Sequence, residues 1–502
     1  MPLGPSRKFA LPLGWASTQS TVESLPACIF LAPTWRSRRY GGVIRHARER
    51  IETSTQRREI HSSDRKSSTL VELPGAVPPQ ANLEQSRAPL SVLPLSMIIR
   101  SLATTVVSSS PILLPPSLRI MTLLAHGNGP LLNPDRNPVL RYFLKKSFYA
   151  QFCAGENPAE VQATINRLKN IGFTGVILGY AREIVLTEKQ IQEVEAAPGQ
   201  ETQKVIDNEI VPWAEGTLET VRLAQPGDFV ALKFTGAGSL ALHQLKHRQP
   251  ATPYLSKSIH SICQLARERG VCLLFDAEQD MLQDGIDDWT LEFAKKYNTS
   301  IHSATIYGTY QAYKKKTPAV LASHLAQAQR TKFALGVKLV RGAYLGSDPR
   351  ECFHETKADT DVCYDGIAAS VLTRQWNATV EGDGEFPVTH LVLATHNAES
   401  VQKARAICDA GGAKSGIAFA QLQGMADEIS CELVEAGLSP RTPTAPKLPA
   451  YKYLVWGTTG ECMKYLLRRA HENKDAVQRT RSGRDAMWAE VIRRVKNALR
   501  LA

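Results

Sequence analysis

From residue 173 onward, eight short runs of β-branched and apolar residues recur along this 502-residue chain. They read TGVILGYARE, DFVALKFTG, GVCLLFDAE, SATIYGTYQAY, GVKLVRGAYL, THLVLATHN, GIAFAQLQG and YKYLVWG. Segments of helical period separate most of them, such as SKSIHSICQLARERG and ESVQKARAICDAGG. Strands that are apolar throughout belong in a sheet covered on both faces, and strands alternating with helices form a parallel one. Eight is the number that closes a (β/α) barrel, with an open doubly wound sheet as the alternative.

Polar residues sharpen that choice, because the ends of seven runs carry chemically capable groups. They are Lys233, Asp276 with Glu278, Gln311, Lys338 with Arg341, the Thr395-His396-Asn397 run, Gln421 and Tyr453. In a barrel the C-terminal strand ends build the active site. One such residue is an ordinary strand cap, whereas seven ends together imply an enzyme.

Familiar cofactor motifs are missing or fail. TGAGSLA places Gly236 and Gly238 in a GxGxxA spacing after a strand. The next strand-end acid, Asp276, nevertheless lies nearly twice the ~20 residues on that a dinucleotide fingerprint needs. No P-loop, H-E-x-x-H or G-x-S-x-G elbow occurs, and clustered metal-ligand spacing is lacking, so no metal is expected. The strand ends instead form a cationic and amidic rim with aromatics. Such a rim suits an anionic, partly aromatic cofactor and a carboxylate substrate.

A net charge of +12 looks at first like a nucleic-acid signal, but roughly half of it sits in the first 70 residues. No basic helix with interleaved aromatics follows, so nucleic-acid binding is not expected. The arginine-rich, acid-poor opening has the character of a mitochondrial transit peptide, with a plain disordered tail as the alternative. Nine scattered cysteines without a C-x-x-C fit a reducing compartment. Residues 1–85 read as presequence and linker, 86–172 as a helical region, 173–480 as the barrel and 481–502 as a terminal helix. The acidic, glutamine-rich stretch 187–209 reads as an inserted surface helix. Segment 89–125 is apolar but broken by Arg100, Pro111, Pro115 and Pro116, so it can lie on an apolar surface without crossing a membrane.

Near the end, YLLRRAHEN (residues 465–473) reads as a helix opened by a Thr458/Glu461 capping box. Its adjacent Arg468 and Arg469 point about 100° apart. Taken alone, the stretch reads most simply as a solvated basic helix end, with Arg468 pairing Glu472 at i+4.

In order, FYAQFCAGE, ALKFTG, LLFDAE, YQAY, VKLVRGAYL, ATHN, QLQGMAD and YLLRRAHEN resemble the signature set of the proline dehydrogenases. The resemblance covers about residues 130–475. It implies a distorted (β/α)8 barrel of TIM type that binds FAD, in the single-function mitochondrial form. It further implies oxidation of L-proline to 1-pyrroline-5-carboxylate by hydride transfer to flavin N5. Electrons would pass to a ubiquinone-type acceptor at the matrix side of the inner membrane, which the enzyme would contact peripherally.

Carried over position by position, Arg468 and Arg469 would grip the substrate carboxylate with help from Lys233. Tyr453 would pack beside the pyrrolidine ring, where hydroxyproline-preferring relatives tend to have a smaller polar residue. Tyr344 and Leu422 would complete the wall. Asp276 would act as charge partner of Lys233 and its neighbours, with a structural ion pair as the competing reading. Lys338 would stand near flavin N5 and Gln311 at the pyrimidine edge. Arg341, Gly342, Thr395, His396 and Asn397 would meet the rest of the cofactor, and Glu472 would support the arginine helix or the cofactor. Glu183 is a weaker match, as partner of an active-site arginine.

The chain departs from the pattern at Gly179, where many relatives carry an acid, and at GSDPREC after GAYL. Two other classes stay open on sequence alone. One is a barrel lyase using Lys233 or Lys338 as a Schiff-base amine, and the other is an inactive membrane-surface protein.

Overall fold

Eight parallel strands close on themselves in the order β1 to β8, each hydrogen-bonded to its sequence neighbours and β8 to β1. The computed structural model describes residues 88–127, 129–181, 201–300, 302–438, 448–475 and 477–499, with the backbone alone for 472–479. The proposed presequence, Cys28, Glu183 and most of the 187–209 insertion therefore lie outside the described residues, as does the Glu472 side chain.

The strands are β1 (Gly175–Tyr180), β2 (Phe229–Leu232), β3 (Cys272–Phe275), β4 (Ile306–Gln311), β5 (Leu335–Val340), β6 (Thr389–Ala394), β7 (Gly416–Leu422) and β8 (Ala450–Trp456). Each coincides with one of the eight runs, β5 and β8 starting one residue before theirs. Alternation divides their side chains between two cores. Ile177, Phe229, Ala231, Leu274, Tyr307, Val392, Ala418 and Tyr451 fill the barrel interior. Val176, Leu178, Leu273, Phe275, Val337 and Leu391 face the surrounding helices. Edge-to-face contacts of Phe229 with Tyr307 and Tyr451, at 5.6 and 5.1 Å between ring centroids, plug the lower barrel. With its floor filled, the barrel can admit a ligand only at the other end.

Four helices precede or flank β1: α1 (Leu95–Ser109), α2 (Leu114–His126), α3 (Pro138–Leu144) and α4 (Pro158–Ile171). The helices that follow β1 are α5 (Val211–Leu223), α6 (Ser239–Lys246), α7 (Pro253–Glu268), α8 (Asp280–Tyr297), α9 (Thr317–Thr331), α10 (Lys357–Thr373), α11 (Ala398–Asp409), α12 (Asp427–Leu438), α13 (Thr459–Asp475) and α14 (Val477–Ala498). The described end of the supposed insertion is helical and largely exposed, as expected, but it is not a separate helix. Helical turns Gln203–Val205 and Ile206–Ile210 run straight into α5, and Ile210 is fully buried. Glu209 accepts hydrogen bonds from Ser239 N (2.6 Å) and Oγ (2.9 Å) at the start of α6. A protein carboxylate thus occupies the helix N-terminus after TGAGSLA, where a dinucleotide phosphate would have to sit.

α13 begins with the predicted capping box: Thr458 N donates to Glu461 at 2.9 Å and Glu461 N to Thr458 Oγ1 at 3.2 Å. Two distant carboxylates join it. Glu156 accepts from Thr459 N and Oγ1 at 3.0 and 2.7 Å, and Asp135 accepts from Gly460 N at 3.0 Å. Negative charge at the start of a helix opposes its dipole, so α13 is fastened where its N–H groups lack partners. Arg141 and Lys145 reach Glu156 at 2.9 and 2.6 Å. Burial acts to raise the Glu156 pKa, but these hydrogen bonds and those from Thr459 outweigh it and hold the group at about 2.

Candidate active site

The C-terminal strand ends and α13 enclose a cavity of about 640 Å³. That lies within the roughly 300–1,000 Å³ usual for small-molecule and cofactor sites. Lys233, Asp276, Gln311, Lys338, Arg341, Gly342, Tyr344, Thr395, His396, Leu422, Tyr453, Arg468 and Arg469 all line it. Of the other two expected site residues, the Glu472 side chain is outside the described residues, and Asn397 is not in the lining. Asn397 instead caps α11, its side-chain oxygen accepting from Ser400 N at 3.2 Å. Its strand-end position leaves it at the first turn of the next helix, where asparagine is a preferred cap.

Arg468 and Arg469 are not the solvated helix end that their local sequence suggests. Both face the cavity, and Arg469 is buried. Tyr465 stands one turn earlier and also lines the cavity, with the Arg469 guanidinium 4.9 Å from its ring centroid. The spacing i, i+3, i+4 puts all three on one helical face. Leu466 and Met463 anchor α13 from behind, packed with Met121 and Leu124 of α2.

Asp276 meets Lys338 Nζ at 2.5 Å, joining the ends of β3 and β5. This buried pair with a neighbouring lysine matches the structural ion pair that the sequence reading kept as the alternative for Asp276. Lys338 also lies 5.6 Å from the Tyr453 ring centroid. Beside them, Glu278 is buried and accepts from Thr235 N at 3.0 Å and from Thr235 Oγ1, which ties β3 to the loop after β2.

Arg341 is held from several sides. It donates to Asp361 at 3.0 and 2.7 Å, to Thr395 Oγ1 at 2.6 Å and to Ser400 Oγ at 2.9 Å. Its guanidinium also lies 4.3 Å from the Tyr364 ring centroid. Burial raises the Asp361 pKa, but hydrogen bonds from Lys357 and Arg341 prevail and hold it below the usual carboxylate range. At β6, His396 Nε2 accepts from Leu422 N at 3.0 Å, which makes Nδ1 the protonated nitrogen of the neutral ring.

The loop after β5 is shaped by what lies under it. Gly342 has φ +143°, and a Cβ there would stand 2.1 Å from the Tyr313 ring. Tyr313 stacks on Phe353 with centroids 4.5 Å apart, and its hydroxyl accepts from Tyr344 N at 3.1 Å. Farther along, Asp348 pairs with buried Lys314 at 3.0 Å and accepts from Asp280 N at 3.0 Å. Asp348 thus fastens the divergent GSDPREC segment to α8, while α10 opens on its own Thr356/Asp359 capping box.

Sequence reasoning missed Tyr465, Thr309, His471 and Leu345 in the lining, and Asp361, Tyr364, Ser400 and Tyr313 behind it. The helical spacing of Tyr465 to the arginines was a usable signal. Asp361, Tyr364 and Ser400 sit on α10 and α11, where nothing local marks them. Among the described residues, no group of three His, Cys, Asp or Glu could hold a metal ion, and the eight described cysteines are free.

Comparison with known proteins fits this geometry. The proline dehydrogenase family matches residues 161–482, more than half of the chain. A probable mitochondrial proline dehydrogenase of Schizosaccharomyces pombe is 28% identical over 71% of this chain and 80% of its own. Proline dehydrogenase 2 of Arabidopsis thaliana is 28% identical over 82% and 90%. A hydroxyproline dehydrogenase of Bos taurus is also 28% identical, over 70% and 82%. Among solved structures, a proline utilization A from Bdellovibrio bacteriovorus superposes with a TM-score of 0.55 at 17% identity. That match covers 76% of this chain and 38% of that one, and it speaks for the barrel fold alone. From the closed barrel with its cavity at the strand ends, and from a family match running through every strand, it follows that the chain belongs to the proline dehydrogenase family.

Proposed function

We propose that this enzyme oxidises L-proline to 1-pyrroline-5-carboxylate with FAD, and that it passes the electrons to a membrane quinone. The observation carrying this reading is the face of α13, which aims Arg468 and Arg469 into a cavity whose opposite walls supply Lys338, Gln311 and Arg341. Paired guanidinium forks match a carboxylate. The cationic and amide donors across the cavity suit the electron-rich edge of a flavin and its phosphates. Gly342 in the wall has no side chain, and its bare side is filled by the Tyr313 ring, which seats the loop after β5 against the protein.

In this reading Arg468, Arg469 and Lys233 bind the substrate carboxylate, and the Tyr465 ring keeps Arg469 in place. Tyr453 packs against the pyrrolidine ring and Leu422 and Tyr344 close the wall, which favours proline over its hydroxylated form. Asp276 holds the Lys338 ammonium at the end of β5, Gln311 offers its amide, and Arg341 with Thr395 and His396 contacts the rest of the cofactor. Bound FAD supplies the hydride acceptor for the carbon beside the ring nitrogen. The amine enters neutral by losing its proton to water, since Asp276 is committed to Lys338. The family match favours this reading over a Schiff-base lyase.

The reading extends to a mitochondrial enzyme lying on the matrix side of the inner membrane. Its support is the arginine-rich opening and the apolar faces of α1, α2, α3 and α14. Ile99, Val106, Ile120, Leu123, Val139, Phe143, Trp488 and Val495 are all exposed there, as are Ile112 and Leu113 in the turn between α1 and α2. Residues 88–150 carry six Lys and Arg against a single acid, Asp135, which suits an anionic lipid surface. No single described helix is long and apolar enough to cross a membrane, and α1 and α2 are bent by 106°. α2 packs directly on α13, which brings this surface next to the arginine helix.

The test is an absorption spectrum of the purified protein lacking residues 1–85, before and after anaerobic L-proline. Flavin bands that bleach with proline, and far less with hydroxyproline, are expected. Bands that stay oxidised, or no flavin after FAD is added, would overturn the reading.

A further inference from the structure

The geometry points to Gly179 as a positioning residue for Tyr453, and so as part of what fits the cavity to the substrate ring. This inference rests on the reading above, in which Tyr453 packs against that ring. Along β1 the side chains of Val176 and Leu178 face the helices, while Ile177 faces the cavity. Residue 179 falls on the same side as Ile177, one layer nearer the mouth. β1 and β8 pair in register, Ile177 with Tyr453 and Gly179 with Val455. The Tyr453 ring leans along the barrel wall over the empty side of Gly179. A Cβ there would stand 3.0 Å from Tyr453 Oη, 3.5 Å from Cζ and 3.7 Å from Val455 Cγ2.

Non-bonded heavy atoms rest at about 3.5–4.0 Å, so only the hydroxyl distance is too short, and by a few tenths of an ångström. The backbone of Gly179 cannot give way, because β1 is hydrogen-bonded to β8 on one side and β2 on the other. The half-buried tyrosine must therefore move, and the free space beside it is the cavity. The bare face of Gly179 is the seat of the Tyr453 hydroxyl. A side chain there pushes the ring toward the substrate while leaving the arginines on α13 untouched.

The experiment is a double-mutant cycle on the FAD-loaded enzyme with Gly179→Ala, Tyr453→Phe and the pair. KM and kcat for L-proline are measured, together with inhibition by acetate, a carboxylate without a ring. Gly179→Ala is expected to raise KM for proline three- to tenfold, with kcat and the acetate inhibition constant changed less than twofold. In the Tyr453→Phe background, which lacks the Oη atom, Gly179→Ala is expected to have no further effect. An unchanged KM in Gly179→Ala, or an equal rise in both backgrounds, overturns the seat. If Gly179→Ala fails to fold alone, recovery of folding by Tyr453→Phe reports the same contact, and no recovery overturns it. If the unsubstituted enzyme does not bleach with proline, or acetate does not compete, the underlying reading fails instead.

Discussion

Asp276 and Lys338 meet at 2.5 Å across the ends of β3 and β5, and each side chain keeps less than a tenth of its surface in contact with solvent. Removing one partner of a buried pair leaves the other charge uncompensated, at a cost of about 3–5 kcal/mol. Asp276→Ala should lower unfolding stability by that order. Adding Lys338→Met should recover a large part, because no lone charge then remains. Denaturant unfolding of the FAD-free protein checks both, and equal stability of the single and double variants would refute the coupling.

Arg468→Lys and Arg469→Lys each keep the charge but lose the bidentate fork. A hydrogen bond to a charged group contributes about 1.5–3 kcal/mol, so KM for L-proline should rise roughly ten- to a hundredfold. The ratio of flavin to protein should stay constant. Loss of flavin without a change in KM would place the arginines at the cofactor instead.

Glu156 should make stability depend on pH in the acid range. Its folded pKa of about 2 lies below the ordinary 4.5. A depressed carboxylate stabilises fully above the unfolded value and loses that contribution as pH falls through the folded one. The advantage of wild type over Glu156→Gln should therefore be complete at pH 6 and shrink between about pH 4.5 and 2. After allowance for screening by solvent around Arg141 and Lys145, its size should be about 2 kcal/mol. Thermal unfolding at several pH values measures it, and an advantage that grows on acidification would contradict the assignment.

Ile120→Glu with Leu123→Glu places two charges on the exposed face of α2 while Met121 and Leu124 stay packed. Binding to vesicles of anionic lipid should fall at least tenfold, since each buried apolar side chain contributes about 1.5–3 kcal/mol. Proline-dependent reduction of a soluble dye should not change. Vesicle flotation read beside dye reduction separates the two, and unaltered flotation would move the membrane contact elsewhere.

The sequence by itself determined the eight strands, the capping box of α13 and most of the polar groups that line the cavity. These are local matters. A buried parallel strand must be apolar throughout, a helix start needs a side-chain acceptor, and strand ends in a barrel converge on one mouth. What the tertiary structure decided is who meets whom. Asp276 found Lys338 and Asn397 became a helix cap. The arginines that read locally as solvated were turned inward because Tyr465, Leu466 and α2 fix which side of α13 is buried. Asp361 and Tyr364 on α10 became partners of Arg341, and Gly179 became the seat of a tyrosine nearly 300 residues away. Periods of 2 and 3.6 residues tell which face a residue takes. Only the closure and tilt of the strands bring the ends of distant segments within contact range.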